Sequence, residues 1–172
     1  MKIASLALAL LTVACSAAQV AADPHVGQTL PIHVQDMVTA QPLDSASWQG
    51  HVVLVDLWAS WCESCKAAMP HHVRLWQQWH ARGFDVVAIS VDEEQSAAQR
   101  FLRDMPLPFV VAWDAGQRTV TALAPAEMPT AYVLDRQGRV LAVASGGTAG
   151  ALRIIDAAVA AAFGSDPTPT AQ

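Results

Sequence analysis

The chain carries little charge and has no run of basic residues. Ten lysines and arginines face 15 aspartates and glutamates, for a formal net charge of −5 over 172 residues. No electrostatic footprint for a nucleic acid is present. A second cysteine pair is also missing. Of three cysteines, Cys62 and Cys65 stand together and Cys15 stands alone. The sequence shows no internal repeat and no second domain, and its length suits one domain with a real core.

Apolar residues are abundant, at 53%, and part of that excess sits at the N-terminus. Lys2 precedes an apolar stretch, Ile3 to Ala14, and small residues follow to Ala22. This is the pattern of an export signal, expected over residues 1–22 and set aside from the fold. Two cleavage points compete. Val20-Ala21-Ala22 before Asp23 suits an ordinary signal peptidase, whereas Leu11-Thr12-Val13-Ala14-Cys15 resembles a bacterial lipobox with Cys15 as the lipid-bearing residue. In a third reading, Ile3 to Ala22 stays as an anchor, since 20 uncharged residues can just span a membrane. All three place the domain outside the cytoplasm, in the periplasm or on the outer face of a bacterial membrane.

Downstream, Asp23 to Leu43 reads as a polar lead-in with a short edge strand near Ile32 to Val34, and Ser45 to Gly50 as a turn. Val52 to Trp58 is a near-continuous apolar run, as in a strand buried on both faces, interrupted only by Asp56. A long helix is expected from Cys62 to Arg82, stopped by Gly83 and kinked at Pro70. Further strands are expected over Phe84–Val91, Phe109–Trp113, Thr130–Leu134 and Arg139–Ala144. The last two are joined by a hairpin turn at Asp135-Arg136-Gln137-Gly138. Helices are expected over Glu94–Leu102, Gln117–Leu123 and Thr148–Phe163, followed by a disordered tail over residues 164–172. Strands alternating with helices, closed by a hairpin and a helix, give an α/β fold with a mixed sheet.

The chemistry centres on "WASWCESCKAAMP", residues 58–70. A structural zinc site needs four ligands. His71 and His72 are adjacent and point different ways on a helix, so they do not complete one. A disulfide across two residues closes too small a loop to constrain the unfolded chain much. Redox chemistry remains, and the strand–CxxC–helix context supports it. A cysteine opening a helix lies among unpaired N–H groups at the positive end of the dipole, which favours its thiolate. Cys62 is therefore read as the attacking sulfur and Cys65, one turn in, as the resolving one.

Asp56 has two readings. It sits at the strand edge, hydrogen-bonded, or it is a desolvated carboxyl beneath the cysteines that takes the proton of Cys65, through a water. Trp61 is an exposed active-site residue or ordinary packing. Trp76 and Trp79 read as core and groove cover, Glu93-Glu94 as a helix start, and the histidines as solvated surface.

"VDLWASWCESCKAAMP" resembles the active-site segment of thioredoxins. With "FDVVAISVD" and "MPTAYVLDRQGRV" following in order, residues 27–163 more closely resemble the exported TlpA/ResA-like thioredoxins. The resemblance implies a thioredoxin fold with helices on both faces of the sheet, and thiol–disulfide exchange without a bound cofactor. It also implies a membrane electron donor, and disulfide-containing proteins as substrates. Pro129 would be the family's cis-proline, and Met128 would offer its backbone to the substrate. The pair between the cysteines, Glu63-Ser64, departs from the family's usual Gly-Pro or Glu-Pro. Glu63 disfavours the Cys62 thiolate and Lys66 partly opposes it, a balance that favours a reductant. The rivals are a copper-handling module of the same fold, which would use a wider CxxxC pair, and a non-catalytic adaptor that kept the motif.

Overall fold

A computed structural model describes residues 23–164. The export segment with Cys15, and the tail from residue 165 onward, lie outside the described residues. At the centre is strand β3 (Val52–Trp58), every residue of which is buried. It pairs in parallel with β4 (Phe84–Ser90), which pairs in parallel with β5 (Val110–Trp113). On its other side β3 pairs antiparallel with β6 (Thr130–Leu134), and β6 with β7 (Val140–Ser145). The sheet is completed beyond β5 by β1 (His33–Asp36) and β2 (Pro42–Asp44), both antiparallel. The order is β2-β1-β5-β4-β3-β6-β7.

Side chains alternate across a strand, and β3 feeds two cores. Val53, Val55 and Leu57 join Ile89 and Tyr132, against which Phe101 and Leu102 of helix α2 (Gln95–Asp104) and Leu123 of α3 (Arg118–Leu123) pack. Val52 and Leu54 join Leu75 of α1 (Glu63–Trp79) and Ile155, Val159 and Phe163 of α4 (Ala149–Gly164). Helices thus cover both faces. Each fully buried Leu or Ile contributes about 2 kcal/mol.

Several boundaries differ from expectation. Cys62 caps the first helix rather than opening it, and His80–Arg82 tighten into a 3-10 turn before Gly83, at φ 87°, stops the chain. Helix α1 runs unbroken through Pro70. The edge strand lies at His33–Asp36, one residue later than expected at its start, and β2 falls within the segment read as irregular. The turn at Ser45 is a short 3-10 helix held by an Asp44–Ser47 capping box. Glu94 does occupy the cap of α2, but its side chain makes no capping hydrogen bond. The lead-in is not loose. Val26 and Thr29 bridge to Val140 and Arg139, the Gly27 N–H donates to the Val140 carbonyl at 2.8 Å, and His25 meets Tyr132 edge to face.

Candidate active site

Strand β3 ends at Trp58, and the chain turns through Ala59 to Trp61 into α1. Cys62 has an extended backbone (φ −91°, ψ 100°), and its sulfur accepts from the Cys65 N–H at 3.2 Å. The Cys62 carbonyl accepts the first helical bond, from the Lys66 N–H. Cys62 and Cys65 form a disulfide, with Cα atoms 5.3 Å apart. Cys62 keeps 6% of its surface exposed and Cys65 none. Of the two cysteines, only Cys62 is open to solvent.

Ser64, between them, has its Oγ 3.5 Å from Cys62 Sγ and donates to the Met128 carbonyl at 3.5 Å. The Met128–Pro129 peptide bond is cis. From the opposite side Gly147 crowds the same turn: a Cβ there would sit 2.9 Å from the Ser64 Cβ. Glu63 and Lys66 are ion-paired to each other. Trp61 stands 64% exposed, beside a groove that is also lined by Glu93, Glu94 and Arg100. The exposure separates Trp61 from the packing role weighed for it.

Asp56 is completely buried, between Ala88 of β4 and Ala131 of β6 in register. Neither carboxyl oxygen has a hydrogen-bond partner in the protein. The hydrogen-bonded strand-edge reading therefore falls: a central strand carries the residue, and no donor reaches it. His72 Nε2 lies 3.6 Å from Asp56 Oδ1.

His72 is the residue that reasoning by amino-acid type missed. Histidines were expected at the solvated surface, yet His72 is 1% exposed. The signal was positional. His72 lies seven residues after Cys65, three after Met69 and three before Leu75, all buried on α1, so the helical period puts it on the apolar stripe. Asp56, His72, Ala68 and Pro129 share a small cavity of about 10 Å³, the space of a single water. Among the described residues, no group of three or more His, Cys, Asp or Glu side chains is placed to hold a metal ion.

A family model described as Redoxin matches residues 25–159. The chain belongs to the Redoxin family. This redoxin is 26% identical over 116 residues to the thiol-disulfide oxidoreductase ResA of Bacillus thuringiensis, covering 67% of each chain. It superimposes with a TM-score of 0.74, at 29% identity, on a candidate thiol:disulfide interchange protein DsbE from Chlorobium tepidum, covering 80% of this chain and 97% of that one. A second Chlorobium tepidum structure, of a thioredoxin-family thiol:disulfide interchange protein, shares the fold at 23% identity and a TM-score of 0.64, covering 79% and 97%. The expected thioredoxin fold stands, with its CxxC pair at a helix start. This redoxin is a thiol–disulfide oxidoreductase of the thioredoxin superfamily.

Proposed function

We propose that this redoxin is exported and reduces disulfides in extracytoplasmic proteins, drawing its electrons from a membrane donor. The observation that carries the mechanism is the unequal burial of Cys62 and Cys65. In the reduced protein the Cys62 thiolate attacks a substrate disulfide, one substrate sulfur leaves as a thiol, and a mixed disulfide forms. Cys65 then loses its proton to Asp56 and attacks Cys62 Sγ. The second substrate sulfur leaves and is protonated. Two electrons have passed to the substrate, and the Cys62–Cys65 disulfide remains. Trp61, Met128 and Pro129 hold the substrate segment against Cys62. A donor dithiol reverses the exchange.

The direction follows from charge. A strong oxidant needs its thiolate form stabilised. Here Lys66, the cation closest in sequence, is engaged by Glu63, and Glu63 is itself 86% exposed. Ser64 Oγ lies 3.5 Å from Cys62 Sγ, but its one hydrogen is directed at the Met128 carbonyl, so it adds no donor that would reverse the balance. Export is supported by Lys2 and the apolar stretch after it, and Cys15 is the candidate lipid site within the lipobox-like stretch.

Titration in glutathione buffers, followed by tryptophan fluorescence, tests the direction. A potential around −250 mV is expected, and a value above about −180 mV would make the domain a donor of disulfides. Iodoacetamide on the reduced protein should label Cys62 well before Cys65. Preferential labelling of Cys65 would reverse the assigned roles.

A further inference from the structure

The buried polar atoms around Asp56 continue outward in a line. His72 Nε2 faces Asp56 Oδ1 across 3.6 Å and has no hydrogen-bond partner in the protein. On the far side of that ring, His72 Nδ1 lies 3.5 Å from His71 Nδ1. His71 Nε2 lies 2.9 Å from Asp156 Oδ1 on α4. His71 is 13% exposed and Asp156 51%. Four titratable side chains from three elements thus lead from a completely buried carboxyl to the surface.

We propose that His72 and His71 are a proton path between buried Asp56 and solvent at Asp156. This rests on the reading of Asp56 as the acceptor of the Cys65 proton. A completely buried carboxyl that takes the Cys65 proton has no direct contact with bulk solvent, so exchange of that proton with solvent needs a route through the protein.

The partners set the polarity of the path. His71 Nε2–H donates to the Asp156 carboxylate, which leaves His71 Nδ1 as an acceptor. His72 Nδ1–H donates to it, which leaves His72 Nε2 as an acceptor facing the cavity. A single water in that cavity can donate one hydrogen to Asp56 and the other to His72 Nε2, satisfying His72 and one of the two orphaned Asp56 oxygens. When Cys65 bonds to Cys62 Sγ, its proton goes to Asp56. Asp56 passes a proton through the water to His72 Nε2, His72 Nδ1 releases one to His71 Nδ1, and His71 Nε2 releases one to Asp156 and solvent. Both rings end in the other tautomer. Re-reduction by a dithiol draws a proton inward to the departing Cys65 thiolate along the same path. The two half-reactions therefore restore one another's tautomers.

Few other charges face this path. Arg74 of α1 lines the hollow that holds His71 and Asp156. Glu127 approaches Gly146, one of the residues lining the cavity. Among the described residues, Asp56 and His72 are the only titratable side chains in the cavity wall.

The test is the rate of the resolving step, followed by tryptophan fluorescence from about pH 6 to 9, in the full chain and in Asp56→Asn, His72→Gln, His72→Leu and His71→Gln. Glutamine keeps polarity but cannot relay a proton. His72→Gln and His71→Gln should slow resolution about tenfold or more near neutral pH, with recovery as hydroxide rises. The initial attack by Cys62 should be unchanged, and free imidazole should partly rescue His71→Gln, the more exposed ring. If Asp56→Asn is slow while both glutamine variants match the parent at every pH, the path is wrong and the role of Asp56 survives. If Asp56→Asn itself matches the parent, the underlying reading of Asp56 fails first. Should His72→Gln not fold, His72→Leu, apolar in an apolar stripe, and His71→Gln, at the outer end, decide between path and no path by the same rates.

Discussion

Two carboxyl groups, one in β3 and one just beyond the end of neighbouring β4, are almost equally buried and are treated oppositely. Asp92, just after β4, is 2% exposed and accepts hydrogen bonds from the Ser60 N–H at 3.0 Å, the Ser60 hydroxyl at 2.8 Å and the Ser90 hydroxyl at 2.8 Å. Asp56, in β3, is fully buried and accepts none from the protein. Asp114 sides with Asp92, taking the Thr119 and Val120 N–H groups at 3.0 and 2.7 Å. A fully bonded carboxylate ties loops together. An unbonded one is costly to bury, and packing alone gives no reason to keep it. The proposed role of Asp56 as a proton acceptor rests on this contrast.

The contrast can be broken most forcefully at Asp92. Asp92→Ala strips three donors of their acceptor and frees the loop that leads into Cys62, so urea denaturation should show a loss of roughly 3 kcal/mol. A variant as stable as the parent would mean that the Ser60–Asp92–Ser90 cluster is decoration. Asp56→Asn should do the reverse. Its stability should stay within about 1 kcal/mol of the parent or rise, since no bonded charge is lost, while the resolving step slows about tenfold to a hundredfold near neutral pH. A large loss of stability there would place Asp56 with Asp92.

Tyr132 offers the mildest test, as a buried titratable group near neither end of the contrast. Burial, with the Asp23 carboxylate adding to it, pushes its hydroxyl up to about 12 from 10.0. Between those values the unfolded chain has released a proton that the folded one keeps. The stabilisation is therefore complete below about pH 10 and is lost as pH rises toward 12. It is the only tyrosine, so phenolate absorbance reports it alone. Tyr132→Phe should flatten the alkaline fall in stability; an unchanged slope would assign that fall to other groups.

Much of this was legible in the sequence, for identifiable reasons. Strands β3 and β6 were read to the residue, β3 because a strand buried on both faces must be apolar almost throughout and β6 because its residues alternate at the strand period. Asp56 was visible as the single breach in that run. The stop before β4 followed from Gly83, whose φ of 87° favours a residue without a Cβ, though the α-helix itself ends at Trp79 and a 3-10 turn fills the gap. Strand β2 was missed because three residues beginning with Pro42 carry no periodic signal; its pairing with β1 supplies the order. His72 was missed because a charge-capable side chain was judged by its type. Its partner, sixteen positions earlier in another element, could be found only once the sheet and helix were packed together. The cis bond before Pro129 came from family resemblance and not from spacing.

Gly147 has a meaning for engineering. Ser64 is the residue a designer would change first to retune the couple, since it sits between the cysteines with its hydroxyl beside Cys62 Sγ. Its Cβ and carbonyl are backed by the loop at Gly147 so closely that a methyl group on that loop would lie 2.9 Å from the Ser64 Cβ and 3.0 Å from its oxygen. Bulk added to position 64 is therefore accommodated only toward solvent, and bulk added to position 147 lifts the loop from the helix. The two positions form one design variable, and a library that randomises the first while freeing the second would score loop displacement as redox tuning.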